Sequence, residues 1–146
     1  MQLIYSKSFK IKPSSVNRAY GIGRNKATGK SFIRKNNKYC ESFSEIELDI
    51  FLNHKKILSK IDLENEMFFI SYKEFMPDFF TKKNAINKKR GDSDRYLKGA
   101  KDAVFKGLGV DDCHCVGEST MQYISNEAIL VIEIYKMKIK NLEVLK

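Results

Sequence analysis

The sequence predicts a single mixed α/β (α+β) domain: a mixed β-sheet with two main helices, in the order roughly β-β-α-β-α-β-β. Three observations carry that expectation. Period-two apolar alternation gathers toward the two ends of the chain, helical periodicity fills two stretches between them, and no repeat or linker divides the 146 residues. A chain of this length buries roughly two-thirds of the surface its unfolded form exposes, which is enough for one core.

Taken in order, QLIYSKSFKI alternates Leu3, Tyr5 and Phe9 with polar neighbours and reads as a half-buried strand. KPSSVNRAYGIGRNKATGK, rich in Gly and Lys, reads as loop, followed by a short extended piece at Phe32 and Ile33. From Glu41 to Leu58, the residues Phe43, Ile46, Ile50 and Ile57 recur at helical spacing and predict a long amphipathic helix. EMFFISYKEFM is a second strand, ended by Pro77, which has no N–H to give a ladder. Thr81 to Arg90 form a basic loop. A helix is then expected from Asp94 to Lys106, burying Leu97, Ala100 and Val104, with Gly107 and Gly109 as its stop. Two strands, near 113–124 and 127–139, complete the chain, expected as a hairpin joined at Ser125 and Asn126.

Charge is unevenly spread. Residues 1–40 hold ten Lys or Arg and no acid, 41–80 hold nine acids against four bases, and 81–146 hold thirteen bases against nine acids. A forty-residue stretch without an acid repels itself unless a polyanion neutralises it, and nucleic-acid phosphate is the commonest intracellular polyanion. Arg18, Arg24, Lys30, Lys82, Lys83, Lys88, Lys89, Arg90 and Arg95 are the candidate DNA contacts; the plainer reading is a solvated basic surface. No apolar run approaches the roughly 18 residues a membrane helix needs. Lys7, Lys10 and Lys12 interrupt the first apolar stretch before a signal sequence could form, and three cysteines suit a reducing compartment, so the expectation is a cytoplasmic protein.

Two motifs invite readings that their context rejects. GRNKATGKS resembles a nucleotide-binding P-loop, but five residues rather than four separate Gly23 from Gly29, and the extended SFIRKNN stands where a helix is required. Cys113-His114-Cys115 suggests zinc. On a strand, however, the two thiols would share one face and the imidazole the other, so small buried thiols are expected instead.

GDSDRYLKGAKDAVFKGLGVDD, residues 91–112, gathers five aspartates into a chain whose charge is otherwise mostly lysine. Each has a structural explanation: Asp92 and Asp94 suit a helix start, Asp111 and Asp112 a turn, and Asp102 has Lys98 four residues earlier as a helical ion pair. Together they form Asp-x-Asp after a basic loop, a lysine one turn beyond Asp94, then Asp-Asp before a strand. Clustered carboxylates repel one another unless a divalent cation balances them.

MPDFFTKKNAINKKRGDSDRYLKGAKDAVFKGLGVDDCHCV resembles the signature of RusA-type Holliday junction resolvases, and KPSSVNRAY resembles that family's Pro-Ser-x-Asn-x-x-Tyr opening. By that resemblance the fold is RusA-like and the chain is a crossover junction endodeoxyribonuclease. Asp92, Asp94 and Asp112 are its essential acids, Lys98 its catalytic lysine, Mg²⁺ (or Mn²⁺) its cofactor, and branched DNA bound by a homodimer its substrate. Asp111 joins the candidate metal set. The family's Asn after the second aspartate is Arg95 here, and the loop between Pro77 and Asp92 is longer. The alternatives are a noncatalytic DNA-binding module, in which the aspartates only cap and turn, or a related nuclease acting on flaps or forks.

Hydrolysis of a phosphodiester needs an activated water, a stabilised leaving oxygen and neutralised phosphoryl charge, which a carboxylate-held Mg²⁺ provides. Lys98 shares a helix face with Asp94 and could meet the phosphate. A helix from Asp94 to Lys106 is roughly 18 Å long, and residues 107–111 return at most about 16 Å. Either the glycine-bearing loop doubles back alongside the helix, or a partner subunit supplies the second acidic pair.

Overall fold

The computed structural model describes residues 1–12, 20–83, 85–87 and 96–139, and those residues form a two-layer α+β arrangement. Strands β1 (Gln2–Phe9), β4 (Glu66–Met76), β5 (Cys115–Ile124) and β6 (Ile129–Lys138) make one sheet in the order β1-β6-β4-β5, and β2 (Tyr20–Arg24) pairs with β3 (Ser31–Lys35) in a separate antiparallel ribbon. Helices α1 (Asn37–Leu58) and α2 (Leu97–Leu108) complete the set, with a short 3-10 turn at Asp112–His114.

Strand β4 organises the domain because it runs eleven residues, buries most of one face and has a ladder on both edges. Its Phe68, Ile70, Tyr72 and Met76 are buried beside Leu130, Ile132 and Ile134 of β6. Onto this face pack Phe43, Ile46, Ile50 and Ile57 of α1, the residues whose helical spacing announced that helix. Helix α2 adds Ala100, Val104, Phe105 and Leu108, and the Phe68 and Phe105 rings meet edge to face at 5.8 Å. The opposite sheet face is half-exposed, with a Lys73–Glu133 ion pair at 2.7 Å across β4 and β6.

Several local expectations change. The last two strands are not a hairpin: β5 lies parallel to β4 on one side, and β6 antiparallel to it on the other. Two strands flanking a third are about 10 Å apart, so a two-residue turn cannot join them. Residues 125–128 cross the end of β4 instead, and the Ser125 N–H donates to the Met76 carbonyl at 3.1 Å. In β1 the core residues are Ile4 and Phe9 while Leu3 is exposed, because the register with β6 slips between Leu3 and Tyr5 and inverts the alternation. The Gly-rich segment read as loop contains β2, and the P-loop look-alike is a hairpin turn in which the Asn25 side chain accepts from the Ala27 and Thr28 amides. Strand β3, not a helix, follows its lysine.

Helix α2 runs two residues past its expected end, and Asp94 lies outside the described residues. Gly107 is not its stop. It lies within α2 against α1, where a Cβ would come 2.7 Å from the Glu47 carbonyl oxygen. Gly109 ends the helix in the left-handed region (φ 71°), its N–H donating to the Phe105 carbonyl. Among the described residues no helix is long and apolar enough to cross a membrane.

Candidate functional site

Strand β4, helix α2 and strand β5 form a β-α-β unit with parallel strands. Tyr96, at the entry to α2, meets Tyr72 of β4 at 6.3 Å, while Phe105 near the helix end meets Phe68. The helix therefore runs back along β4, and the chain must reverse after it to enter β5. Gly109 begins the reversal. Asp111 stabilises it by accepting the Cys113 N–H at 2.8 Å through Oδ1, which closes the 3-10 turn.

That turn decides the Cys-His-Cys stretch. Cys113 and His114 belong to the turn and only Cys115 begins β5, so the expected alternation across a strand does not arise. Cys113 is exposed rather than buried, and Cys115 is half-buried. Among the described residues no three His, Cys, Asp or Glu side chains converge as a metal site.

The same turn separates the roles of the acidic pair. The Cys113 N–H holds the Asp111 carboxyl below the usual carboxylate range, and that carboxylate is committed to the backbone. Asp112, with 58% of its side chain exposed, points back at α2, where its Oδ2 lies 3.5 Å from the Lys101 ammonium. Lys101 also meets Glu118 Oε1 of β5 at 3.2 Å. Burial works against the charged lysine, but Glu118 foremost and Asp112 with it outweigh that, and the Lys101 pKa is raised. Tyr72 lies deeper; burial, then the Glu118 charge, lifts its phenol well above the ordinary value.

Lys98 sits one turn before Lys101 and is exposed. Its expected ion pair with Asp102 is not formed: both residues are exposed, and among the described residues no salt bridge joins them. Asp92, Asp94, Arg95, Arg18, Lys88, Lys89 and Arg90 lie outside the described residues. Of the other basic candidates, Arg24 and Lys30 are exposed at the β2–β3 turn, with the Arg24 guanidinium donating to the Gly29 carbonyl. Lys82 and Lys83 are exposed in a second small turn, closed by Thr81 N–H to Ala85 O and the Phe80–Ile86 bridge. Lys12 and Asp78 pair, linking the Lys-Pro opening to the Met-Pro-Asp segment.

Sequence reasoning missed Lys101, Glu118 and Tyr72. The available signal was the period-two polar series Glu118, Thr120, Gln122 in β5. Ile70 is the register partner of Glu118, Tyr72 that of Thr120 and Glu74 that of Gln122, so the series shares the helix-covered face of β4. The Gln122 amide donates to buried Glu74 at 3.0 Å on that face. No protein-family model and no curated protein matches the chain.

Proposed function

We propose that this protein is a Mg²⁺-dependent, structure-selective DNA endonuclease that resolves four-way junctions by paired nicks, as the resemblance to RusA-type resolvases implies. The observation that supports it best is the reversal after α2, which returns the Asp112 carboxylate to the helix one turn beyond Lys98. Asp112 fits a hard divalent cation: it is a mostly exposed carboxylate whose one ion-pair partner among the described residues is a lysine. Asp111 fits less well, since one of its oxygens serves the turn.

A bound Mg²⁺ would supply the activated water and neutralise phosphoryl charge. The roles of the chain's own parts would be these. Asp112, with Asp92 and Asp94, would hold the ion, and Lys98, exposed on the same helix, would meet the phosphate as its charge develops. Arg24, Lys30, Lys82 and Lys83, exposed on two turns, would meet the DNA backbone together with the basic run at 88–90. A four-way junction is approximately two-fold symmetric, and a C2 homodimer would present one site to each of two opposed strands.

The deciding experiment incubates purified protein with end-labelled four-way junctions and matched linear duplex, with Mg²⁺ or with EDTA. Paired nicks confined to junctions with Mg²⁺ are expected. Junction binding without nicks in Mg²⁺ or Mn²⁺ would make the protein a DNA-binding module, and preferential cutting of flaps or forks would change the substrate.

Binding should also weaken steeply with salt, since each phosphate neutralised by Lys or Arg releases counterions. Replacing Lys88, Lys89 and Arg90 by Ala is expected to flatten the plot of log affinity against log salt by about one unit per lost contact. An unchanged slope would show that this run faces away from the DNA.

A further inference from the structure

The contact among Lys101, Asp112 and Glu118 is asymmetric. The ammonium lies 3.2 Å from Glu118 and 3.5 Å from Asp112; the Glu118 side chain is 20% exposed and that of Asp112 58%. The second Glu118 oxygen, Oε2, is buried and has no hydrogen-bond partner among the described residues, and the same holds for the hydroxyl of Tyr72 on the neighbouring strand. Among the described residues Lys101 is therefore the one counter-charge that Glu118 has. A largely covered carboxylate that loses its cation is left poorly compensated, whereas an exposed carboxylate can replace an ammonium with water or a metal ion. Lys101 is thus bound to stay with Glu118.

The geometry points to Glu118 as a positioning residue: its largely covered carboxylate claims the Lys101 ammonium and so leaves Asp112 available to a divalent cation. The inference rests on reading Asp112 as a metal ligand. The charge balance gives it a signature. Asp112, Glu118 and Lys101 together carry one net negative charge. Without Glu118 the lysine would neutralise Asp112 outright and repel a metal ion. Without Lys101 the site would carry two negative charges and attract one more strongly.

The test is binding of Mn²⁺ alone, without DNA, followed by electron paramagnetic resonance, with folding checked by circular dichroism. Glu118→Gln is expected to weaken Mn²⁺ binding about tenfold, Lys101→Gln to strengthen it by a similar factor, and the double variant to return close to the parent. A purely structural pair would give either no change or a loss in both single variants, and either outcome overturns the inference. Should Glu118→Gln fail to fold, Lys101→Gln decides: tighter binding upholds the proposal, and unchanged or weaker binding defeats it. Asp112→Asn separates the two levels of the argument. If it abolishes Mn²⁺ binding while Glu118→Gln does not alter it, only the role of Glu118 fails. If Asp112→Asn binds Mn²⁺ as the parent does, the metal reading of Asp112 fails with it.

Discussion

Asp112→Asn is expected to lose junction cleavage by about a hundredfold or more while keeping junction affinity in EDTA close to that of the parent. Asn preserves the shape of the side chain and removes the charge a metal ion requires. The fold should tolerate the change, because Asp112 is mostly exposed and its Lys101 contact is of the kind that contributes little to stability. Asp92→Asn and Asp94→Asn carry the same expectation from the sequence motif. Asp111 supplies the internal contrast. Asp111→Asn keeps an oxygen that can accept the Cys113 N–H, so cleavage should fall far less than in Asp112→Asn. Asp111→Ala removes that acceptor and should lower the melting temperature, as loss of a capping side chain does. Gel assays of cleavage and binding, paired with thermal melts, distinguish the five. Full activity in Asp112→Asn would remove that residue from the site, and equal loss in Asp111→Asn would point to a turn that both aspartates hold in shape.

What the sequence made legible was local. Strand β4 could be read to the residue because its strand-forming stretch ends at Pro77, and α1 could be recognised because Phe43, Ile46, Ile50 and Ile57 fix one helical face, although it begins four residues earlier than expected. Pairing was not legible. Alternation identifies β5 and β6 as strands but does not say that β4 lies between them, since that depends on which long apolar strand needs both edges covered. The bulge that turns Ile4 inward in place of Leu3 is equally invisible to a count of alternate residues. At the candidate site, spacing along one helix picked out Lys98. Lys101 acquires its place only because β5 and the turn bring Glu118 and Asp112 to it from seventeen and eleven residues away. The Cys-His-Cys stretch was misread for a related reason: one capping aspartate converts an expected strand into a 3-10 turn.

The same reversal gives an assembly experiment an expected outcome. Mixing inactive Lys98→Gln protein with inactive Asp112→Asn protein is expected to leave cleavage absent. The length of the helix had left open a second acidic pair donated by a partner subunit. In the structure, Gly109 and the capped turn bring Asp112 back within 3.5 Å of Lys101 in its own chain. Lys98 lies one turn away, about 4.5 Å along the helix axis. If each site draws Lys98 and Asp112 from one chain, every heterodimer carries one site lacking the lysine and one lacking the carboxylate, and neither cuts. A shared site would behave differently. One of the two sites in each heterodimer would take both intact residues and nick a single strand, so the mixture would recover a nicking activity that neither protein has alone. Subunit exchange must be verified with differently tagged parents, since without it silence carries no information. Once exchange is established, single-strand nicks in the mixture would show that Asp112 serves the partner's Lys98 despite lying beside its own helix.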